Sequence, residues 1–166
     1  MGLFTVFLAS IEAFVQTYGL GGTFIISLFE SFIFPVPTAV IIAPTTAFGQ
    51  DPLLTVLVAT VGSVIGAVVG YVLGMKLGHP IAHRLFKKKH LDRVEQWFER
   101  WGVWTVLLAA FSPIPFKVVT VASGIFRLSF RGFILAAIVG RFFQFLVAAY
   151  VGDIFGAAVI GWLGSL

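Results

Sequence analysis

The chain contains no cysteine, which excludes disulfides, thiol chemistry and thiolate metal ligands. It is also poor in charge: Asp, Glu, Lys and Arg together make up 11% of it, where soluble domains carry about 25%. Residues 1–75 lack lysine and arginine altogether, and all eleven basic residues fall from Lys76 onward. The N-terminal apolar stretch therefore has no basic n-region, and it carries Glu12 and Gln16. It reads as an interfacial or first membrane helix rather than a cleaved leader. No Ser-His-Asp set or pair of carboxylates stands where it would assemble, and no Gly-Lys-Ser/Thr follows the glycine-rich run. An enzyme, a bound cofactor and a nucleic-acid partner are not expected.

What is present is apolar. Hydrophobic residues are 59% of the 166-residue chain and mean hydropathy is +1.04. Four long stretches, 3–29, 53–78, 102–126 and 132–166, approach or exceed the roughly 20 residues that cross a bilayer as helix. The expectation is one membrane domain over residues 1–166, all helical.

The sequence matches itself at an offset of 78 residues. Pro35-Val36-Pro37 then falls on Pro113-Ile114-Pro115, and without a gap Gly62 meets Gly140, Gly74 meets Gly152 and Gly78 meets Gly156. Coincident apolar residues mean little in such a chain. Shared Pro and Gly positions mean more, because each constrains the backbone in its own way. The chain divides into repeat 1 at about 20–78, a linker at 79–101 and repeat 2 at about 102–156. Internal repeats of this kind are common in transporters.

The positive-inside rule makes the basic segment His79 to Arg100 cytoplasmic. If residues 102–126 crossed the membrane, Arg127 and Arg131 would lie outside, so the rule prefers that this stretch turn back at Pro113 and Pro115. About 11 residues on either side give arms of roughly 16 Å, half the hydrocarbon thickness. Residues 20–48, broken at Pro35 and Pro37, read in the same way. The expected fold is an inverted repeat of two re-entrant helical hairpins, each followed by a glycine-rich transmembrane helix. Non-helical backbone at that depth needs protein or a wet cavity around it.

Gly62, Gly66, Gly70, Gly74 and Gly78 recur every fourth residue, and the second copy keeps Gly140 and Gly152. Interior glycine costs about 1 kcal/mol relative to alanine, so the run implies close helix packing of the small-xxx-small kind. Such ridges also suit a homo-oligomer. Pro80 opens a linker helix with Ile81, Leu85, Val94, Trp97, Phe98 and Trp101 on one side and Arg84, Lys87 to Lys89 and Arg93 on the other. An amphipathic helix on the cytoplasmic surface, drawn to anionic lipids, fits this pattern. His79, His83 and His90 lie in the same segment, but nothing else with ligand spacing accompanies them, so a metal site is not inferred.

Three charges fall inside apolar segments: Glu30, Lys117 and Arg141. Each costs about 2.5 to 3.5 kcal/mol at a helix centre on insertion scales, so they must pair or face a cavity. In one reading Glu30 neutralises Lys117 or Arg141 and locks the hairpins. In the other, the two cations hold an anionic headgroup and Glu30 takes up a proton. Helical arms starting near Thr38 and Phe116 would add their positive ends to that field.

Phe29-Glu30-Ser31, Pro35-Val36-Pro37, the run Phe111-Ser112-Pro113-Ile114-Pro115-Phe116-Lys117 through Gly124, and Gly140-Arg141 together resemble the DedA family, also called the VTT or SNARE-associated Golgi protein family. The likeness covers about residues 20–156 and is nearest the short bacterial branch. It implies two facing re-entrant hairpins in the bacterial inner membrane. It also implies translocation of lipids such as undecaprenyl phosphate or phospholipids, dependent on proton motive force. The chain departs from the family in having Thr38-Ala39 where many members have an acid, and Ala110 where many have an arginine. Glu30 is left as the midplane acid. Besides lipid flipping or scrambling, a proton-coupled exporter of a small ion or drug and a non-transporting membrane scaffold remain as readings.

Overall fold

The computed structural model describes residues 3–31, 42, 46, 49–85, 88–111 and 116–163. Pro35, Pro37, Pro113 and Pro115, where the hairpin breaks are expected, lie outside the described residues. The described chain is helical throughout: α1 (Leu3–Glu30), α2 (Pro52–Leu85), α3 (Lys88–Trp101), α4 (Trp104–Phe111), α5 (Phe116–Ile125) and α6 (Phe130–Leu163).

Local chemistry sets most of the helix ends. Asp51 caps α2, its Oδ1 accepting from the Leu54 amide at 2.8 Å, and Pro52 follows at the first helical position, where a missing N–H costs nothing. Gly102, at φ 54, closes α3 with its amide on the Phe98 carbonyl. α5 ends in a Schellman arrangement: Leu128 N–H donates to the Ser123 carbonyl and Arg127 N–H to that of Gly124. Arg127 occupies the left-handed position, φ 50, that glycine more often fills.

Two of the long helices bend. α1 turns at Gly19 (φ 55, ψ −132), between the stretch expected at 3–18 and the segment expected to start at 20. α2 turns at Gly78 (φ 64, ψ −179) and continues through Pro80 to Leu85. Gly78 is the point at which the apolar helix leaves its axis. The linker is helical over residues 79–85, the end of α2, and over 88–101, which is α3; residues 86 and 87 lie outside the described residues.

The segments Pro52–Gly78 and Phe130–Ile154 are long and apolar enough to cross a membrane. Their faces repeat at the 78-residue offset. On α2, Leu57, Val61, Ile65, Val69 and Leu73 are exposed; on α6, so are their images Leu135, Val139, Phe143, Val147 and Val151. Thr55, Ala59, Ser63, Ala67 and Tyr71 are buried, as are Phe133, Ala137, Arg141, Phe145 and Ala149. Ten large aliphatic and aromatic side chains in two exposed rows are far more than a water-facing helix tolerates, and they suit a hydrocarbon solvent.

The glycines of α2 pack against two helices, not one. A Cβ at Gly62 or Gly66 would strike the backbone carbonyl of Phe24 or Leu28 on α1, and one at Gly74 would strike that of Val121 on α5. The physical reason is geometric: a step of four residues overshoots a 3.6-residue turn by about 40°, so three steps carry the row about 120° around the helix. Gly124 on α5 returns the contact, facing the Tyr71 carbonyl, and Gly140 on α6 meets Ala110 of α4. Gly70 and Gly152 are buried. The ridge at Gly62, Gly66 and Gly74 is thus filled within the chain instead of being left for an oligomer contact.

Each copy also reaches across to the other. Thr46 Oγ1 donates to the Ala149 carbonyl at 2.9 Å, and at the 78-residue offset this pair becomes Gly124 against the carbonyl of Tyr71. Ile42 shares a buried cluster with Val56, Ala59, Phe145 and Ala149. A larger cluster joins Tyr71, Phe98, Val106, Phe116, Val119 and Phe133. Tyr71 donates its hydroxyl to the Leu128 carbonyl at 2.6 Å, so its polar end is satisfied inside this core.

A buried ion pair as the candidate functional site

The three embedded charges sit on three helices, and at two of them the end of α1 meets the middle of the Phe130–Ile154 span. Glu30 is the last residue of α1, Arg141 lies near the middle of Phe130–Ile154, and Lys117 is the second residue of α5. Arg141 Nη2 donates to Glu30 Oε2 at 2.6 Å, with side chains only 3% and 9% exposed. Arg141 is one of the two partners open to Glu30 on sequence grounds, and the structure pairs them.

The guanidinium is held on several sides. Nη1 donates to Gln144 Oε1 at 2.8 Å, one turn along α6, and Nη2 also lies 3.5 Å from Ser31 Oγ. The Phe116 ring lies 4.2 Å from Arg141 Cζ and that of Phe145 lies 5.2 Å away, so two aromatic faces flank the cation. Ser31 Oγ in turn shares a 2.7 Å hydrogen bond with Ser63 Oγ on α2. Ser63 and Arg141 hold equivalent positions in the two copies and converge on the same end of α1.

One atom of this arrangement has no match. Arg141 Nε is buried and finds no hydrogen-bond acceptor among the described residues. A guanidinium has five donors in a planar fork suited to carboxylate or phosphate. Beside it stands Phe116, the first described residue of α5, at the end of that helix that carries the positive pole of its dipole. Lys117 is half-buried on that first turn. The pair's own charges balance, and Lys117 follows Phe116, whose ring packs on the guanidinium.

Ser31, Ser63, Gln144 and Phe116 were not singled out by residue type, although Ser63 is the image of Arg141 at the repeat offset. The side chains of His79, His83 and His90 lie outside the described ones, and among the described residues no group of three His, Asp or Glu side chains is placed to hold a metal.

Comparison with known proteins bears on this arrangement. A family model described as VTT domain matches residues 34–154. An uncharacterized protein of Methanocaldococcus jannaschii is 30% identical over 127 residues, 76% of this chain and 79% of that protein. The undecaprenyl phosphate transporter A of Staphylococcus aureus is 25% identical over 168 residues, 91% of this chain and 83% of that one. An uncharacterized protein of Histophilus somni is 38% identical over 60 residues, an alignment that spans only 31% of its length. No solved structure matches the chain.

Proposed function

The chain belongs to the VTT domain, or DedA, family, and from that premise we propose that it is a multi-pass membrane transporter that moves a phosphate-headgroup lipid across the bilayer. Undecaprenyl phosphate is the first candidate substrate, since a relative aligned over most of both chains is named as its transporter; a phospholipid is the second. The observation that carries the reading is the buried Arg141–Glu30 pair at mid-span, with an unmatched guanidinium Nε beside the start of α5. Charge at that depth is expensive and marks ion or substrate paths.

In this reading Arg141, Lys117 and the α5 amides receive the phosphate, while Glu30 keeps Arg141 neutralised when the site is empty. Entry of a phosphate would compete with the carboxylate for the guanidinium. A proton taken up by the released Glu30 would then couple transport to proton motive force. The expected architecture is the inverted repeat of re-entrant hairpins around residues 35–37 and 113–115, with the basic linker cytoplasmic. The congruent exposed rows on α2 and α6, and the paired contacts of residues 46 and 124 on the opposite copy's long helix, support it. Transport rather than catalysis is the natural use of such a site.

A second reading has its own support. Glu30 and Arg141 satisfy each other closely enough to be a structural lock in a non-transporting scaffold. Reconstitution separates the two. Purified protein in liposomes carrying labelled undecaprenyl phosphate, or labelled phosphatidylglycerol, is expected to expose inner-leaflet label to an external quencher faster than empty vesicles do. Rates equal to those of empty vesicles, with and without a proton gradient, would leave the scaffold reading.

A further inference from the structure

Two open apolar grooves run along adjacent faces of α4. The first, about 200 Å³, is lined by Trp97 and Trp101 of α3 and by Thr105 and Leu108. The second, about 250 Å³, lies between Trp104 and Leu107 on one side and Gly132, Leu135 and Val139 of α6 on the other. α4 forms the ridge between them, with Trp104 65% and Leu108 56% exposed. Thr105 spends its hydroxyl on the Trp97 carbonyl at 2.8 Å, so it offers no free hydroxyl proton to an occupant of the first groove.

Both grooves open beside the turn at Gly102-Val103, and two exposed arginines lie near that end, with the exposed Glu99 next to Arg100 in the chain. Arg100 is exposed and lies 5.7 Å over the Trp101 ring, at the edge of the first groove. Arg131 is exposed and precedes Gly132, whose Cβ position abuts the Val103 side chain at the edge of the second. From Phe126 to Gly152 there is no acidic residue. Leu135 and Val139 belong both to the second groove and to the exposed apolar row of α6, so the groove is continuous with the lipid-facing surface.

We propose that α4 is straddled by one resident phospholipid with an anionic headgroup, one acyl chain in each groove and the phosphate between Arg100 and Arg131 at the Gly102-Val103 turn. Hydrocarbon is the occupant that apolar grooves in a membrane face accept, and the two arginines select its headgroup. Tryptophans at the mouth suit the interfacial depth of that headgroup. This site is separate from the buried ion pair: a protein that moves no lipid in vesicles would still hold this one, so the two proposals fail independently.

The full chain in nanodiscs of phosphatidylcholine and phosphatidylglycerol, with bromine on the chains of one lipid at a time, tests it through tryptophan fluorescence. Brominated phosphatidylglycerol is expected to quench more than brominated phosphatidylcholine at equal mole fraction, corresponding to about tenfold enrichment at the site. Trp97→Phe, Trp101→Phe and Trp104→Phe together should remove that excess. The double variant R100Q/R131Q, changed only at exposed positions, should bring the ratio of the two lipids close to one. Equal quenching by both lipids in the unaltered protein, or a preference that survives R100Q/R131Q, would overturn the proposal. Equal retention of one-chain lysophosphatidylglycerol would overturn the two-groove assignment. A dimer that Trp104→Ala dissociates would give the grooves to a second copy instead.

Discussion

The long helices α2 and α6 share one pattern of exposed and buried positions and differ in charge at one buried position. Their exposed rows coincide residue for residue at the 78-residue offset, from Leu57 and Leu135 to Leu73 and Val151. Their buried rows coincide too, but the third position of five is Ser63 in one and Arg141 in the other. Packing and solvent contact constrain both copies equally, because both helices face the same two environments. The polar centre is free to diverge, since one strong cation and one carboxylate suffice and a second arginine would add an unpaired charge. The asymmetry between Ser63 and Arg141 is the place where the two offset-related rows differ in charge.

The largest expected effect breaks that asymmetry directly. Arg141→Ala leaves Glu30 buried without its guanidinium partner and should cost about 3 to 5 kcal/mol, the usual penalty for removing one member of a buried pair. Thermal unfolding in detergent measures it. Replacing Glu30 as well, in E30Q/R141A, should recover more than half of the loss. Absence of any recovery would mean that Arg141 is held mainly by Gln144 and the aromatic faces.

A smaller effect is expected where one glycine row serves two neighbours. Gly74→Val drives a side chain into the Val121 backbone of α5 and should destabilise by about 1 to 3 kcal/mol, as overpacking does. The same change at Gly21, where a Cβ would meet nothing within 4 Å, should stay within about 0.5 kcal/mol. Similar losses at the two sites would contradict the packing role of the row.

Ser63→Ala removes the 2.7 Å bond to Ser31 but no charge, and about 1 kcal/mol is expected. A loss approaching that of Arg141→Ala would erase the contrast between the equivalent positions. Smallest of all, Val69→Ala and Val147→Ala should each change stability in a lipid bilayer by less than about 0.5 kcal/mol, and by the same amount, because a lipid chain fills the space that the side chain leaves. Unequal losses would mean that one row is covered by protein.

Much of this molecule is legible in its sequence, for reasons tied to particular residues. The apolar spans follow from hydropathy, and the α2 start follows from Asp51-Pro52. The three embedded charges stand out because so few others interrupt the apolar stretches. Pairing was not legible: Glu30 and Arg141 are 111 positions apart, and Lys117 was an equal candidate until α1 and α6 were brought together. Ser31 and Ser63 gave no signal because a helical serine usually satisfies itself on the carbonyl four residues back, as Ser123 does on Val119. The repeat offset, which places Ser63 on Arg141, was the signal that would have found it. Gly78 looked like the end of a packing row, and only its positive φ shows that the helix leaves its axis there. That row turned from α1 to α5 because a four-residue repeat does not follow a single helix face.

The lipid-transport reading depends on Glu30 and Arg141 separating during a cycle, and one comparison tests that most directly. Lipid translocation in proteoliposomes is measured for the unaltered chain and for Glu30→Gln, with thermal stability of both recorded in the same lipid. The expected result is translocation reduced at least tenfold in Glu30→Gln while the protein remains folded. Unchanged translocation in a folded Glu30→Gln protein would contradict it and make the ion pair a structural fastening.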